Sequence, residues 1–398
     1  MKSHFAYYGE YSIESWIAFT LNGEVKLPPY QRSFVWKIDD VYKLVKSIVD
    51  GQFVPPVTIA QTKWEYKSEK ETMPAGTYLI DGQQRLCSIL LFYLGVFPSG
   101  TNTTPAISDD DDEIDSVDWT FSKLQKEYVD CSSVDDLRNK LQNNPQYACI
   151  SNIKPDKTLT SAKLQEISSF HTELSSSNFS KLLTSALGYS FIKSVGDEKT
   201  EKRMLANVFK DINSAGVRLT SAESREAIYY LAPELMKLFK PDVVSNHKIG
   251  TANGDTDFAR FMAYPLEYYL DETQNKKVAY GYSDKSEEYI LKQIVALIED
   301  DEINKKAKQF IDNISMFSEL FAKIFSEDKR KKDIPTFELY VYGLIYWVLF
   351  DGKDIDASKT NVLDEAFEKY APDVTKVTGI RVRLNLSIET YREILRNG

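Results

Sequence analysis

The stretch TYLIDGQQRLCSILLFYLG, residues 77–95, constrains the fold more than any other part of the chain. Its first four residues are mostly β-branched or aromatic, which favours a short buried strand. Its second half has apolar residues at helical spacing, namely Leu86, Ile89, Leu90 and Tyr93. The residues between, DGQQR, are polar or glycine. A strand that passes into a helix through such a junction predicts a mixed α/β domain.

The junction between this strand and this helix is also a candidate binding site. The first backbone N–H groups of a helix have no partner within the helix, and the helix dipole favours negative charge at that end. Consecutive polar residues at such a corner indicate that their polar groups are used there. Together these features predict a site for an anion such as a phosphate group.

The residues before this junction predict a helix and a further strand of the same domain. A helix is predicted over residues 41–49, capped by Asp39 or Asp40. Its apolar face consists of Val41, Leu44, Val45, Ile48 and Val49. A short strand is predicted over residues 57–60, and residues 61–76 are polar enough to indicate a hairpin or a loop.

The composition bounds the size and the surface of the protein. The chain has 398 residues, 42% of them hydrophobic and 27% charged, which is typical of two or three folded domains. Its net charge is −10 and its pI is near 5.1. This charge argues against a surface that grips DNA indiscriminately, because such binding needs clustered Lys and Arg. A local basic groove is still compatible with it.

Few cysteines and histidines are present, and this argues against several kinds of site. The three cysteines form no CxxC pair, which fits a reducing cytosol. The three histidines lack ligand spacing, which argues against a zinc site and an HNH-type nuclease centre. The N-terminus lacks the apolar core of a signal peptide, and residues 337–350 predict a buried helix too short to cross a bilayer. We therefore expect a cytoplasmic protein without membrane contact.

The second half of the chain is helical in pattern. Residues 204–212 carry one apolar helical stripe, which Gly216 can end. Farther along, nearly all apolar periodicity is helical. We therefore divide the chain into a mixed α/β domain with a helical insert, residues 1–235, and an all-α domain, residues 236–398.

Two stretches of the first domain lead to no definite elements. Residues 109–113 are all acidic, and we interpret them as part of a solvated linker, with a metal site as the alternative. Residues 116–200 alternate short helical patterns with loops rich in Ser and Asn, and their elements cannot be placed from the pattern.

Four motifs occur in one order along the first 235 residues: LPPYQRSFVW (27–36), VPPVTI (54–59), IDGQQRL (80–86) and FKDINSAGVRLTSAE (209–223). Together they resemble the family called domain of unknown function 262, known from the GmrS half of the GmrSD modification-dependent restriction enzymes. The N-terminal core of that family is similar to the ParB/sulfiredoxin-like fold. The resemblance implies an α+β protein, with a ParB/sulfiredoxin-like domain followed by a mostly α-helical domain.

The resemblance further implies a nucleotide-binding and often nucleotide-hydrolysing module of prokaryotic defence against foreign DNA. The nucleotide-binding residues that it implies are Tyr30, Gln31, Arg32, Gly82, Arg85, Asn213 and Gly216. The catalytic residues that it implies are Asp81, Gln83, Gln84 and Arg85. The two arginines suit bidentate contact with phosphate oxygens, and Asp81 suits a Mg²⁺ ion or an attacking water that Gln83 or Gln84 positions. Mg²⁺ is expected with the nucleotide, because two arginines alone hardly neutralise a triphosphate.

The same residues have structural interpretations. Arg32 and Arg85 could form ion pairs with Asp39 or Glu10, and Asn213 could cap the end of its helix. Three aromatic residues around Arg32 could pack in the core rather than stack on a base: Tyr30, Phe34 and Trp36.

Two departures from known relatives limit what can be carried over. Sulfiredoxin needs a cysteine directly after the glycine of its motif, whereas Gln83 stands there and Cys87 lies on the following helix. This argues against cysteine-based reduction of sulfinic acids. Many family members carry a histidine-rich, HNH-like nuclease half, but the all-α region has only His247. We therefore do not expect this chain to cut DNA by itself.

Two functions of different classes follow from these observations. The first is a nucleoside triphosphatase or nucleotide-dependent switch that uses NTP and Mg²⁺ and works with a separate nuclease or defence subunit. The second is a DNA-binding sensor without turnover, whose arginines and aromatic residues contact phosphates and bases, including those of modified DNA. A third interpretation is a protein-interaction scaffold. A homo-oligomer is compatible with all three functions.

Overall fold

A computed structural model describes most of the chain, in two compact units. It describes residues 4–29, 31, 33–67, 72–99, 119–155, 159–215, 225, 228–229, 231–245, 258–271, 278–280, 287–325, 334–368 and 377–396. The first unit comprises Met1–Glu201 and the second Lys202–Gly398.

The first unit combines strands and helices. Its strands are β1 (His4–Ser12), β2 (Val57–Thr62), β3 (Tyr66–Lys67), β4 (Thr72–Met73), β5 (Gly76–Asp81), β6 (Val96–Pro98), β7 (Tyr147–Cys149) and β8 (Ala186–Ser194). Its α-helices are α1 (Ile13–Leu21), α2 (Ile38–Val49), α3 (Gln83–Leu94), α4 (Phe121–Tyr128), α5 (Val134–Gln142), α6 (Ser161–Ser176) and α7 (Ser180–Leu183), and α8 (Glu198–Ala215) continues into the second unit.

Four strands form the main sheet in the order β1-β8-β2-β5. The β1–β8 and β2–β5 pairs are antiparallel, and the central β8–β2 pair is parallel. A register shift between Thr58 and Ile59 bends β2 where it faces the end of β5. Helices α1, α2 and α3 contribute much of the core, which includes Trp16, Val45 and Leu90.

The local predictions around the strand–helix junction are confirmed. The strands at 57–60 and 77–80 and the helices at 41–49 and after residue 85 are all present, as β2, β5, α2 and α3. The loop between β2 and β5 contains the β3–β4 hairpin. The predicted cap needs a correction, because α2 begins at Ile38 with Lys37 as N-cap. Asp40 still provides a hydrogen-bond acceptor at the N-terminal end of α2, since its Oδ2 accepts the Lys37 N–H over 3.1 Å.

Two strands of the main sheet had no counterpart in the prediction. They are β1 and β8, and their nine-residue pairing is the longest ladder in the described sheet. Residues 116–200, which led to no definite elements, contain β8 and most of the small helices of the first unit.

The second unit is built from helices in its described parts. They are α9 (Met236–Phe239), α10 (Asp242–Ser245), α11 (Ala259–Leu270), α12 (Glu287–Glu299), α13 (Asp301–Asp312), α14 (Ile314–Ile324), α15 (Ile334–Leu344), α16 (Thr360–Glu368) and α17 (Val377–Arg392). The buried helix predicted at 337–350 is present, as α15 and a π-helical turn, Ile345–Phe350. The α+β class is thus confirmed, with a mixed N-terminal part and a mostly helical C-terminal part.

Some predictions lie outside what the structure describes. The acidic stretch 109–113 and Gly216 belong to undescribed segments. The domain boundary near residue 235 stays a prediction. Within the part of the chain that the structure describes, none of the helices has both the length and the apolar character needed to cross a bilayer.

Candidate functional site at the β5–α3 corner

The corner between β5 and α3 is made by a single glycine. Strand β5 ends at Asp81, Gly82 has a φ of +100°, and α3 begins at Gln83. A Cβ atom on Gly82 would lie 2.5 Å from Cγ1 of Val57 on the neighbouring strand. The corner therefore needs glycine for its positive φ and for its close packing against β2. The predicted role of Gly82 in nucleotide binding stays a prediction.

Asp81 and Arg85 form an ion pair across the first turn of α3. Arg85 Nη2 donates to Asp81 Oδ2 over 2.8 Å and to the carbonyl of Pro56 over 3.2 Å. The side chain of Arg85 is 16% exposed and that of Asp81 is 43% exposed. Arg85 Nε is buried and has no hydrogen-bond partner among the described residues. The guanidinium is therefore held at the corner by the two bonds of Nη2, with its Nε turned into the protein.

The ion pair bears on the structural interpretation of Arg85. Its carboxylate partner is Asp81, one of the predicted site residues, rather than Asp39 or Glu10. Asp39 instead forms ion pairs with Lys43 over 2.7 Å and with Lys163 over 3.5 Å. The structure thus brings two predicted site residues, Asp81 and Arg85, into direct contact.

Gln84 ties the first motif to the corner. Its Oε1 accepts the Val35 N–H over 2.9 Å and the Trp36 N–H over 3.4 Å, and its Nε2 donates to the Ser33 carbonyl over 3.1 Å. Gln84 is buried, so these bonds replace water on both ends of its carboxamide. In this arrangement Gln84 holds the backbone of the first motif, and its catalytic role stays a prediction.

Gln31 makes a second link between the same two motifs. Its Nε2 donates to the carbonyl of Ile80 over 3.1 Å, one residue before Asp81. We call residues 31 and 33–36 the first-motif segment. The segment is thus bonded to the end of β5 through Gln31 and to the start of α3 through Gln84.

The aromatic residues of the first-motif segment divide by burial. Phe34 is buried and makes edge contacts with Phe97 and Trp119, at ring-centroid distances of 6.0 and 5.6 Å. Trp36 is half-buried and packs against the same core. The core interpretation is confirmed for Phe34 and Trp36. Stacking on a base would need other residues.

The remaining predicted residues are placed as follows. Gln83 is buried in the first turn of α3. Asn213 lies in the last turn of α8, within the second unit. Tyr30, Arg32 and Gly216 lie outside the described residues. The structure therefore unites Gln31 and Asp81–Arg85, and the other members of the predicted site stay predictions.

The corner offers one carboxylate, that of Asp81, to a metal ion. The described residues contain no group of three or more His, Cys, Asp or Glu able to hold a metal. Asp81 shares one of its oxygens with Arg85. Mg²⁺ commonly uses one or two carboxylates and completes its shell with phosphate oxygens and water. The corner therefore fits Mg²⁺ that arrives with a nucleotide, and does not fit an ion held by protein groups alone.

Cys87 has no reactive character. It is fully buried on α3, and this burial raises the pKa of its thiol far above the ordinary value. A thiol that stays protonated is a poor nucleophile. The position and state of Cys87 agree with the prediction against cysteine chemistry.

One functional contact at the corner carries no signal in the sequence. The carbonyl of Pro56 accepts from Arg85, and any residue type supplies a carbonyl. Only the pairing of β2 with β5 brings that carbonyl to the guanidinium, so the contact follows from the fold alone.

The fold and this corner define a class of protein: a mixed α/β unit with a DGQQR strand–helix corner, followed along the chain by a helical unit. The chain belongs to the family described as the GmrSD restriction endonuclease N-terminal domain, whose model matches residues 13–230. This confirms the resemblance seen in the motifs. The family indicates a component of a restriction or anti-phage defence system.

A curated relative shows a weaker similarity. It is an uncharacterized protein of Methanocaldococcus jannaschii, 23% identical over 267 residues. The match covers 59% of this chain and 44% of the relative. The chain thus spans less than half the length of that relative, whose name states no activity.

Proposed function

We propose that this chain binds a nucleoside triphosphate at the β5–α3 corner and hydrolyses it, as the nucleotide-dependent component of a restriction system. One observation carries the proposal. In a chain of the GmrSD family, the N-terminal end of α3, the largely buried Arg85 guanidinium and the more exposed Asp81 carboxylate meet at one corner. Helix N-termini and arginine forks are the groups that proteins use for phosphates.

Arg85 and the α3 N-terminus are the phosphate-binding groups in this proposal. Nη2 of Arg85 bonds to Asp81 and Pro56 and Nε is buried, so Nη1 is the nitrogen that contacts phosphate oxygens in this proposal. The N–H groups of the first turn of α3 add partial positive charge beside them. Both groups stabilise the negative charge that spreads over the transferred phosphoryl oxygens.

Asp81 is the group that orients water. A water molecule attacks the terminal phosphorus, the bond to the bridging oxygen breaks, and the products are a nucleoside diphosphate and inorganic phosphate. Asp81 accepts a hydrogen bond from this water and holds it in line. Asp81 would be the protein ligand of a Mg²⁺ ion bound with the triphosphate, and that ion would neutralise phosphate charge.

The Asp81–Arg85 ion pair makes a split between binding and turnover testable. Asp81→Asn removes both the anion that competes with phosphate for Arg85 and the proposed Mg²⁺ ligand, so phosphate release should be lost, whereas NTP binding without Mg²⁺ should hold or tighten. Arg85→Ala should weaken binding about 10- to 100-fold, the worth of a charged hydrogen bond. Arg85→Lys should recover only part of it, because lysine lacks the fork.

Phosphate release from each NTP with Mg²⁺, and binding by calorimetry with and without Mg²⁺, check these expectations. Arg138→Ala is the matched control, because Arg138 pairs with Asp135 elsewhere in the same unit. Equal turnover in wild type, Asp81→Asn and Arg85→Ala sinks the catalytic proposal. If no NTP binds but modified DNA binds in an Arg85-dependent way, the sensor hypothesis replaces it.

A further inference from the structure

Strand β1 is an edge of the main sheet and is exposed over most of its length. The sheet order β1-β8-β2-β5 leaves one side of β1 facing outward. Residues 6–11 are all exposed, and the side chains of Tyr7 and Tyr8 expose 51% and 79% of their surface. A long edge strand with exposed aromatic residues is a template for pairing with another strand.

The backbone of β1 presents a defined set of polar groups on its outer side. The Ile13 N–H donates to the Ser185 carbonyl over 2.8 Å, and these residues continue the β1–β8 register by one pair. Opposite residues in an antiparallel pair alternate between bonded and non-bonded positions. The odd-numbered residues of β1 therefore bond to β8, whereas Ala6, Tyr8 and Glu10 direct their N–H and C=O groups outward.

Strand β1 lacks the features that usually block pairing at an edge. Natural edges are protected by proline, lysine, bulges or very short strands. The sequence HFAYYGEYS contains neither proline nor lysine, and the register with β8 is unbroken over nine pairs. The only acidic residue is Glu10. The outer side is thus available over residues 6–11, the part of the strand that is described as exposed.

We propose that β1 pairs with β1 of a second copy of this chain, antiparallel and about a two-fold axis at Tyr8, so that two four-stranded sheets join into one. Outward-facing residues must face one another across the new seam, so even-numbered residues pair with even-numbered ones. The register that uses all nine residues places Tyr8 opposite Tyr8 of the second copy. It also places Glu10 opposite Ala6 and Tyr7 opposite Gly9.

This register is self-complementary, and that argues for a second copy as the partner. Glu10 faces Ala6, so no like charges are opposed across the seam. Tyr7 faces Gly9, where the phenol oxygen of Tyr189 on β8 lies 2.7 Å from a would-be Cβ, so the incoming Tyr7 ring packs against the Tyr189 side chain. The incoming tyrosine thus extends the aromatic row in which Tyr11 stacks on Tyr189 at 4.8 Å.

The solution mass of the full chain tests the proposal. Wild type should sediment as a dimer, and Tyr8→Lys should sediment as a monomer, because two lysines would meet on the two-fold axis. Phe53→Lys is the matched control, since Phe53 is 85% exposed but lies in a loop outside the sheet. The control should stay dimeric. Circular dichroism melts establish whether each variant is folded.

Cross-linking tests the register without relying on dissociation. A hydrogen-bonded antiparallel pair has Cα atoms about 5.5 Å apart, within the range of a disulfide. Mild oxidation should therefore convert Tyr8→Cys into a covalent dimer, while Phe53→Cys and wild type should give none. A monomeric wild type overturns the proposal. A Tyr8→Cys variant that does not cross-link, or a folded Tyr8→Lys variant that stays dimeric, also overturns it.

Discussion

At the scale of single residues, Gly82 shows how tightly the corner is specified. It meets two demands at once: a φ of +100° and a contact with Val57 that leaves no room for a Cβ. Gly23 meets only the first, since its φ is +73° and nothing lies within 4 Å of a would-be Cβ. Comparing substitutions at the two glycines therefore distinguishes the cost of a positive φ from the cost of crowding.

Replacing each glycine by alanine should give unequal losses of stability. Gly23→Ala should lose about 1–2 kcal/mol, the cost of a left-handed conformation for a residue with a side chain. Gly82→Ala should lose that amount plus roughly 1–3 kcal/mol for crowding against Val57. Urea titration followed by tryptophan fluorescence reports mainly on the first unit, which holds Trp16, Trp36, Trp64 and Trp119. Equal losses would refute the crowding argument.

His171 is a second residue whose role depends on its surroundings. Its ring contacts Phe92 and Phe179 at centroid distances of 5.1 and 5.4 Å. Burial lowers the pKa of His171 below its ordinary value, and the nearby positive charge of Arg138 lowers it further. The unfolded chain therefore binds a proton at His171 more readily than the folded chain does.

Because of His171, the free energy of unfolding should decrease as the pH decreases. A depressed pKa in the folded state gives stability that is present above the unfolded value, about 6.5, and lost as the pH falls below it. His171→Phe should remove that part of the slope and keep the aromatic packing. His171→Gln should also remove it, although with lower stability overall. Urea midpoints between pH 7 and pH 5 measure the slopes, and a wild-type slope retained in both variants contradicts this account.

At the scale of elements, the first-motif segment depends on Gln84 for its backbone bonds. Gln84→Met keeps the side-chain volume but deprives Val35 and Ser33 of their buried partner. We expect a loss of about 1–3 kcal/mol in the free energy of unfolding, because buried polar groups are left without bonds. Gln31→Met is the comparison: Gln31 is only half-buried, so its loss should be smaller. If the order of the two losses is reversed, Gln84 does not organise this segment.

Elements with local patterns could be predicted, and elements defined by distant partners could not. Strands β2 and β5 and helices α2 and α3 have apolar periodicity within ten or so residues, and junction residues mark their ends. Strand β1 exposes both of its faces at residues 6–11, so its sequence has no buried side to reveal. Its partner β8 lies far along the chain, and only folding brings the two together.

The candidate site shows the same difference between what local patterns predict and what depends on distant contacts. The DGQQR motif predicted which residues meet at the corner, because they are adjacent in the chain. It did not predict that Gln84 binds backbone while Asp81 and Arg85 bind each other. A glutamine that faces a ligand and one that supports a loop have the same letter, and only tertiary contacts distinguish them.

At the scale of the whole molecule, the end of the first unit falls inside helix α8. Glu201, the last residue of this unit, is fully buried, and its carboxylate accepts the Lys63 N–H over 3.1 Å and the Trp64 N–H over 3.4 Å. These bonds fix the chain as it leaves β2. The first turn of α8, Glu198–Glu201, is therefore part of the first unit.

Truncations should reveal this dependence. A fragment of residues 1–215 keeps Glu201 and should fold, as should the fragment 1–235 that ends at the predicted domain boundary. A fragment of residues 1–197 lacks Glu201 and should melt at a lower temperature, because the two N–H groups after β2 lose a charged partner worth about 1.5–3 kcal/mol. Thermal melts of the three fragments compare them directly. Glu201→Gln in the full chain should show part of the same loss, since an amide accepts these bonds without the charge. If fragment 1–197 matches fragment 1–215, Glu201 does not stabilise the first unit, and the boundary can be moved to the start of α8.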